Sequence, residues 1–191
     1  MAEVVRAIEE EFRRYKALGE SAMSQLPEHE LSQEGPGGGN SIATLVWHVA
    51  GNLESRFTEF LTSDGEKPWR NRDDEFLPRA VGRADLLARW ATGWAALHGS
   101  LAPLSDADLT RVVVIRGQGL TVAEALARSL AHTVYHVGQI VFLSKLWRGT
   151  EWQNLSIPPG GSREYNAAPS KERPAEHVSS LTGPWQPPED R

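Results

Sequence analysis

Over the first 26 positions, Val5, Ile8, Phe12, Tyr15, Gly19, Ala22 and Leu26 recur at steps of three and four. That spacing puts them on one face of a helix, with Glu9, Glu10, Arg13, Arg14 and Lys16 on the other. Pro27 and the run Gly35-Pro36-Gly37-Gly38-Gly39 close this unit with a flexible connection. Asn40 or Ser41 can cap a second helix, whose stripe is Ile42, Leu45, Val49, Leu53, Phe57 and Phe60 and which should stop near Asp64-Gly65. The charged segment from Glu66 to Val81 reads as a structured connection, with Trp69 and Phe76 as anchors on the core. A third helix is expected from Arg83 to Leu101, along Leu87, Trp90, Trp94, Leu97 and Leu101.

The β-branched run Val112-Val113-Val114-Ile115, followed by Arg116-Gly117-Gln118-Gly119, predicts a short strand or hairpin. Thr121-Val122-Ala123-Glu124 has the form of a capping box. It opens a fourth helix to about Trp147, with Val122, Leu126, Ser129, Thr133, His136, Ile140, Leu143 and Trp147 on one seam. Seven of the 12 prolines lie between Pro158 and Pro188, and no helical period survives there. The expected architecture is therefore all-α: a four-helix bundle over residues 1–149 with a short hairpin before its last helix. An extended Pro-rich tail follows over residues 150–191, its first half packed on the bundle through Trp152, Leu155, Ile157 and Tyr165 and the stretch after Ser170 free to move.

Composition narrows the function. The 191 residues contain no cysteine, so disulfides, thiolate metal sites and cysteine nucleophiles are excluded. Twenty Lys and Arg against 25 Asp and Glu give a formal charge of −5, which offers no general drive toward nucleic acid. No apolar stretch approaches a membrane span of about 20 residues. Met1 to Arg14 alternates charged and apolar residues, unlike a signal peptide. The expectation is a cytoplasmic protein that acts on a small molecule, with no nucleic-acid or membrane partner.

Any metal must be held by His, Asp or Glu. His132 and His136 stand one turn apart on the fourth helix, on or beside its apolar seam, so both point inward and can chelate one ion. Thr133 occupies the place where a zinc-protease motif needs Glu. His48, beside the second helix's stripe, completes a three-imidazole set of the kind that leaves a coordination position open. The plain alternative for each is a core histidine bonded to a carbonyl or hydroxyl. His98 is the competing ligand, while His29 and His177 read as solvated. Asn52 and Gln139 share the ligand faces and can orient a ligand or hold substrate; Tyr135 and Arg56 are further candidates. Imidazole donors suit zinc or nickel first, and manganese or iron as well.

These residues resemble the DinB/YfiT-like superfamily of metalloenzymes. The resemblance is carried by Trp47-His48-Val49-Ala50-Gly51-Asn52-Leu53 and by Ala131-His132-Thr133-Val134-Tyr135-His136-Val137-Gly138-Gln139. Within that superfamily the chain is similar to the group known as DUF1572. The stretches concerned are Asn40-Ser41-Ile42-Ala43, Asp64 through Asp73, and Leu155-Ser156-Ile157-Pro158, and the likeness covers residues 1 to about 167. It implies up-down-down-up connectivity, a divalent metal on His48, His132 and His136, and a homodimer. Characterised relatives use bacillithiol or mycothiol, which implies thiol-dependent S-transferase chemistry in which a metal-held thiolate attacks an electrophile. A metal-dependent hydrolase with an activated water, or a non-catalytic dimeric metal-binding module, stays open beside it. No Asp or Glu shares the faces of the three histidines, which favours the thiol reading unless a carboxylate from the Glu66 to Asp74 connection reaches the site.

Overall fold

The computed structural model describes residues 3–181. Its elements are helix α1 (Glu3–Ser24), a short α2 (Glu28–Leu31), α3 (Ile42–Phe57), α4 (Arg83–Leu101), strands β1 (Val112–Ile115) and β2 (Gln118–Thr121), the long α5 (Val122–Arg148), and two small helices, α6 (Ser162–Ala167) and α7 (Pro174–Leu181). Local chemistry sets the boundaries. Ser41 accepts from the Thr44 N–H at 3.1 Å and starts α3. Thr121 and Glu124 form the expected capping box at the head of α5. Asp106 reaches back along the chain and accepts from the first N–H groups of α1, Glu3, Val4 and Val5, at 2.8–3.1 Å.

Side-chain contacts give the directions of the four long helices. Glu9 lies 3.3 Å from His98, and Arg83 donates to the carbonyls of Met23 and Leu26, so α1 and α4 are antiparallel. Gly93 meets Ala50 and the Ser100 hydroxyl donates to the Phe57 carbonyl, so α3 and α4 run parallel. Gly35, ahead of α3, touches Leu143 while His48 meets His132, so α3 and α5 are antiparallel. The result is an up-down-down-up four-helix bundle, as expected. Its core centres on Phe12, Phe57, Trp90 and Trp94, all essentially buried and packed edge-to-face. At Gly93 a Cβ would stand 2.6 Å from the Ala50 Cα, so the parallel pair owes its close approach to that glycine.

Several expectations change. The second helix ends at Phe57; Glu59 takes a left-handed φ of 51°, and the chain turns before Gly65. Leu86, four residues before Trp90, is the core residue at the start of α4, while Leu87 is exposed. Trp69 is exposed and anchors nothing, whereas Phe76 lies against His48. The stretch after residue 149 is not simply extended. Pro174 occupies the first position of α7, where a missing N–H costs nothing, and α7 packs on α1. Trp152 and Leu155 pack on the core, Tyr165 is half-buried and Ile157 is exposed. His177, expected in solvent, is buried and donates from Nε2 to the Leu155 carbonyl at 2.8 Å. Residues 171–181 form part of this packed region, and the tail beyond 181 lies outside the described residues.

The hairpin forms as expected, in register Val112 to Thr121. Its two-residue turn, Arg116-Gly117, has positive φ at both positions (54° and 72°), the geometry that matches strand twist. Asp64 accepts from both turn N–H groups at 2.8 Å, and the Gly65 N–H donates to the Val114 carbonyl. These bonds fasten the loop after α3 to the hairpin and close one side of a cavity.

Candidate metal centre

The cavity has a volume of about 460 Å³ and opens between α3, α5, the hairpin and the connection after α3. His48, His132 and His136 meet at its base. Their ring centroids are 4.6–5.1 Å apart, and one nitrogen from each falls within 4.8 Å of the others. His48 is buried on α3, His136 is buried on α5, and His132 is half-buried one turn away.

The hydrogen bonds assign the nitrogens. His48 Nδ1–H donates to Glu75 Oε2 at 2.8 Å, which turns its Nε2 lone pair inward. His136 Nδ1–H donates to Gln139 Oε1 at 3.2 Å, which leaves its Nε2 free in the same way. His48 Nε2 and His132 Nε2 are 3.2 Å apart. A tetrahedral ion at about 2.0–2.1 Å from each nitrogen holds two ligands about 3.3 Å apart, so this spacing fits. His132 Nδ1 is buried with no hydrogen-bond partner. Nδ1 lacks a partner in either tautomer, so it is the convergence of the Nε2 atoms, and not the hydrogen bonding of His132, that points to an ion. The donor set is neutral, convergent and chemically suited to a divalent ion, and the three-His group could hold one.

Glu75 was not among the expected site residues. It belongs to a single 3₁₀ turn, Asp73–Phe76, in the connection after α3. Arg70 grips it with Nε to Oε1 at 2.7 Å and a second bond to Oε2 at 2.9 Å, so both oxygens are engaged. The Arg70 side chain is only 2 % exposed, which makes this a buried Arg–Glu–His chain. Burial pushes the Glu75 carboxyl up, but hydrogen bonds from His48 and Arg70 outweigh it and hold the group below the usual range. Phe76, on the same turn, lies with its ring 4.6 Å from His48.

The other expected residues fall as follows. Asn52 and Arg56 line the cavity from α3. Arg56 is tied to Glu66 at 3.2 Å and to the Gly65 carbonyl. Tyr135 is 65 % exposed at the mouth, its ring 5.0 Å from that of His136. His98 stacks on Trp94 away from the cavity, and His29 is exposed on α2. Neither joins the cluster.

Burial first, and then the neighbouring His136 and His48, lower the His132 pKa from 6.5 to about 3. Burial and His48 lower that of His136 as well. Between pH 6.5 and 3 the unfolded chain therefore takes up protons that the folded, metal-free protein refuses, and stability falls with acidification. Glu75 acts in the same sense, since its depressed pKa gives stability that is lost in acid. The urea midpoint of EDTA-stripped protein should drop between pH 7 and pH 5, and His132→Gln should flatten the slope. A midpoint that rises over that interval would contradict this ordering.

The fold and site together define a helical-bundle protein with a three-histidine cluster between the middles of α3 and α5. The sequence matches the family described as "Protein of unknown function (DUF1572)" over residues 1–161, and the chain belongs to that family. Among solved structures it resembles the "conserved protein of locus from Enterococcus faecalis", with a TM-score of 0.55 and 20 % identity over 76 % of this chain and 97 % of that one. At that identity the likeness speaks for the fold alone. No curated protein matches the chain.

Proposed function

We propose that this protein is a divalent-metal-dependent enzyme whose centre is His48, His132 and His136, and that it catalyses thiol-dependent S-transfer to an electrophilic small molecule. The observation that carries the reading is the convergence of three neutral imidazoles, one of them oriented by a buried carboxylate. A bound ion would supply the positive charge that keeps a thiol ionised at neutral pH. The chain has no thiol of its own, so the sulfur comes from a low-molecular-weight thiol.

Glu75 supports this reading over a hydrolase that needs a carboxylate base. It stands one residue past the Glu66 to Asp74 stretch and reaches the Nδ1 side of His48, with both oxygens held by Arg70 and His48. It positions His48 and is not free to take a proton from substrate. We assign Gln139 the matching role at His136, and we place Asn52, Tyr135 and Arg56 at the substrate.

An exposed stripe on α5, formed by Tyr135, Phe142 and Leu146, supports a homodimer. No described helix is long and apolar enough to cross a membrane. With a substrate-sized cavity and a cysteine-free chain, we place the protein in the cytoplasm with a small-molecule partner and neither nucleic acid nor membrane.

The test is consumption of bacillithiol, mycothiol, glutathione or coenzyme A with chlorobimane as electrophile, using zinc- or nickel-loaded protein. Turnover that disappears in His132→Ala is the expected result. No metal-dependent turnover with any of the four thiols would remove the transferase reading.

A further inference from the structure

Five arginines line the cavity: Arg56, Arg70, Arg72, Arg116 and Arg128. Among the described residues no Asp or Glu lines it. Two carboxylates stand behind the wall. Glu75 pairs with Arg70, while Glu66 pairs with Arg56 and with Arg116 at 2.8 Å. Five guanidiniums less two carboxylates leave three positive charges around one cavity, in a chain of formal charge −5. Other acids nearby do not cancel them. Asp73 is 3.9 Å from Arg72, but its side chain is 96 % exposed and the pair is screened by water. Asp64, held by the backbone N–H groups of Glu66, Arg116 and Gly117, stays charged near Arg56, so it lowers the surplus to two without removing it.

Arg128 makes no hydrogen bond or ion pair among the described residues. It lies one turn before His132 on α5, so its side chain and that imidazole share a face. Ser129, beside it, is buried, lines the cavity and leaves its hydroxyl without a partner. Phe57, Phe60, Ile115 and Ala125 give the wall an apolar patch beside the polar Asn40, Asn52 and Gln139. A positive cleft with an apolar patch concentrates anions that carry a hydrophobic body.

We propose that this cavity binds a small organic anion, a carboxylate or phosphate on a short apolar body, with Arg128 as the anchor of the anionic group. This rests on reading the cavity as the substrate site and names the class of molecule it takes. The anchor is a side chain of the protein, so the selectivity is present before any ion binds. The guanidinium accepts either a carboxylate or a phosphate through paired N–H donors.

The test uses ligand-observed NMR on the full chain, both EDTA-stripped and zinc-loaded. The probes are phenylacetate, phenyl phosphate and the neutral phenylacetamide. At least one anion should bind stripped protein about tenfold tighter than the amide, as expected for one charge-assisted contact. Arg128→Gln should remove most of that preference. Arg6→Gln, on the remote surface of α1, should keep it. Which anion binds better distinguishes carboxylate from phosphate.

The proposal is overturned by equal affinity for anion and amide, by failure of both anions to bind, or by a preference that survives Arg128→Gln. A preference seen only in zinc-loaded protein would also overturn it, because the ion and not Arg128 would then hold the anion. An anion preference in protein that takes up no zinc would leave this proposal standing and remove the metal reading instead.

Discussion

Glu75→Ala should weaken metal binding by about 10- to 100-fold, as loss of a carboxylate behind a histidine ligand does elsewhere. The same change should also cost about 3–5 kcal/mol of stability, because it leaves a buried charge unpaired. Both effects come from one position. Glu75 fixes the tautomer of His48 through a 2.8 Å bond and is the bidentate partner of the almost fully buried Arg70. Without it, His48 is free to rotate and Arg70 keeps only Glu66, 4.0 Å away. The measurements are urea denaturation and a zinc competition titration against a chromophoric chelator. Glu75→Gln separates the two effects, since the amide oxygen can still accept from His48 while the charge pair with Arg70 is lost. It should retain more zinc affinity than Glu75→Ala yet remain destabilised. Equal zinc affinity in Glu75→Ala and wild type would mean that His48 is held by something else.

Gly51→Ala should reproduce much of this phenotype without touching a polar group. A Cβ at Gly51 would stand 2.2 Å from Glu75 Oε1 and 2.9 Å from its Cδ. A glutamate side chain can ordinarily swing aside, but this one is clamped by Arg70 and His48 and packed at 7 % exposure. The clash is therefore relieved by breaking the clamp or by moving the 3₁₀ turn off α3, at about 1–3 kcal/mol as for other overpacked sites. Zinc affinity should fall by about tenfold or more, since the orienting bond is lost. Gly138→Ala is the matched control, because a Cβ there meets nothing within 4 Å. A Gly51→Ala protein with wild-type stability and zinc affinity would show that Glu75 moves freely.

The histidines were legible because helical periodicity reports direction. His132 and His136 repeat at one turn beside a seam that is otherwise apolar, and His48 sits beside the stripe of α3. Glu75 was not legible for the converse reason. The segment from 66 to 81 has no period, so the direction of its side chains is set by Asp64, Gly65 and the distant hairpin. Phe76 reads in the sequence as an anchor on the core, whereas it is half-buried against His48. Arg128 gave no signal in the sequence, since an arginine on an exposed helix position reads as solvated surface until the hairpin wall is placed opposite it. In the last segment, α7 is only eight residues long, too short for a period to stand out, and its initial proline reads as a breaker when it serves as a start. His177, carried on that helix, shows its burial only once α7 is seen to form.

The central claim is that His48, His132 and His136 hold one divalent ion together. X-ray absorption of the zinc-loaded full chain tests it most directly, with His132→Ala as the comparison. The account predicts three imidazole nitrogens at about 2.0–2.1 Å in the wild type, with imidazole outer-shell scattering that drops to two rings in the variant. Zinc bound only through oxygen, or a spectrum unchanged by His132→Ala, would contradict it.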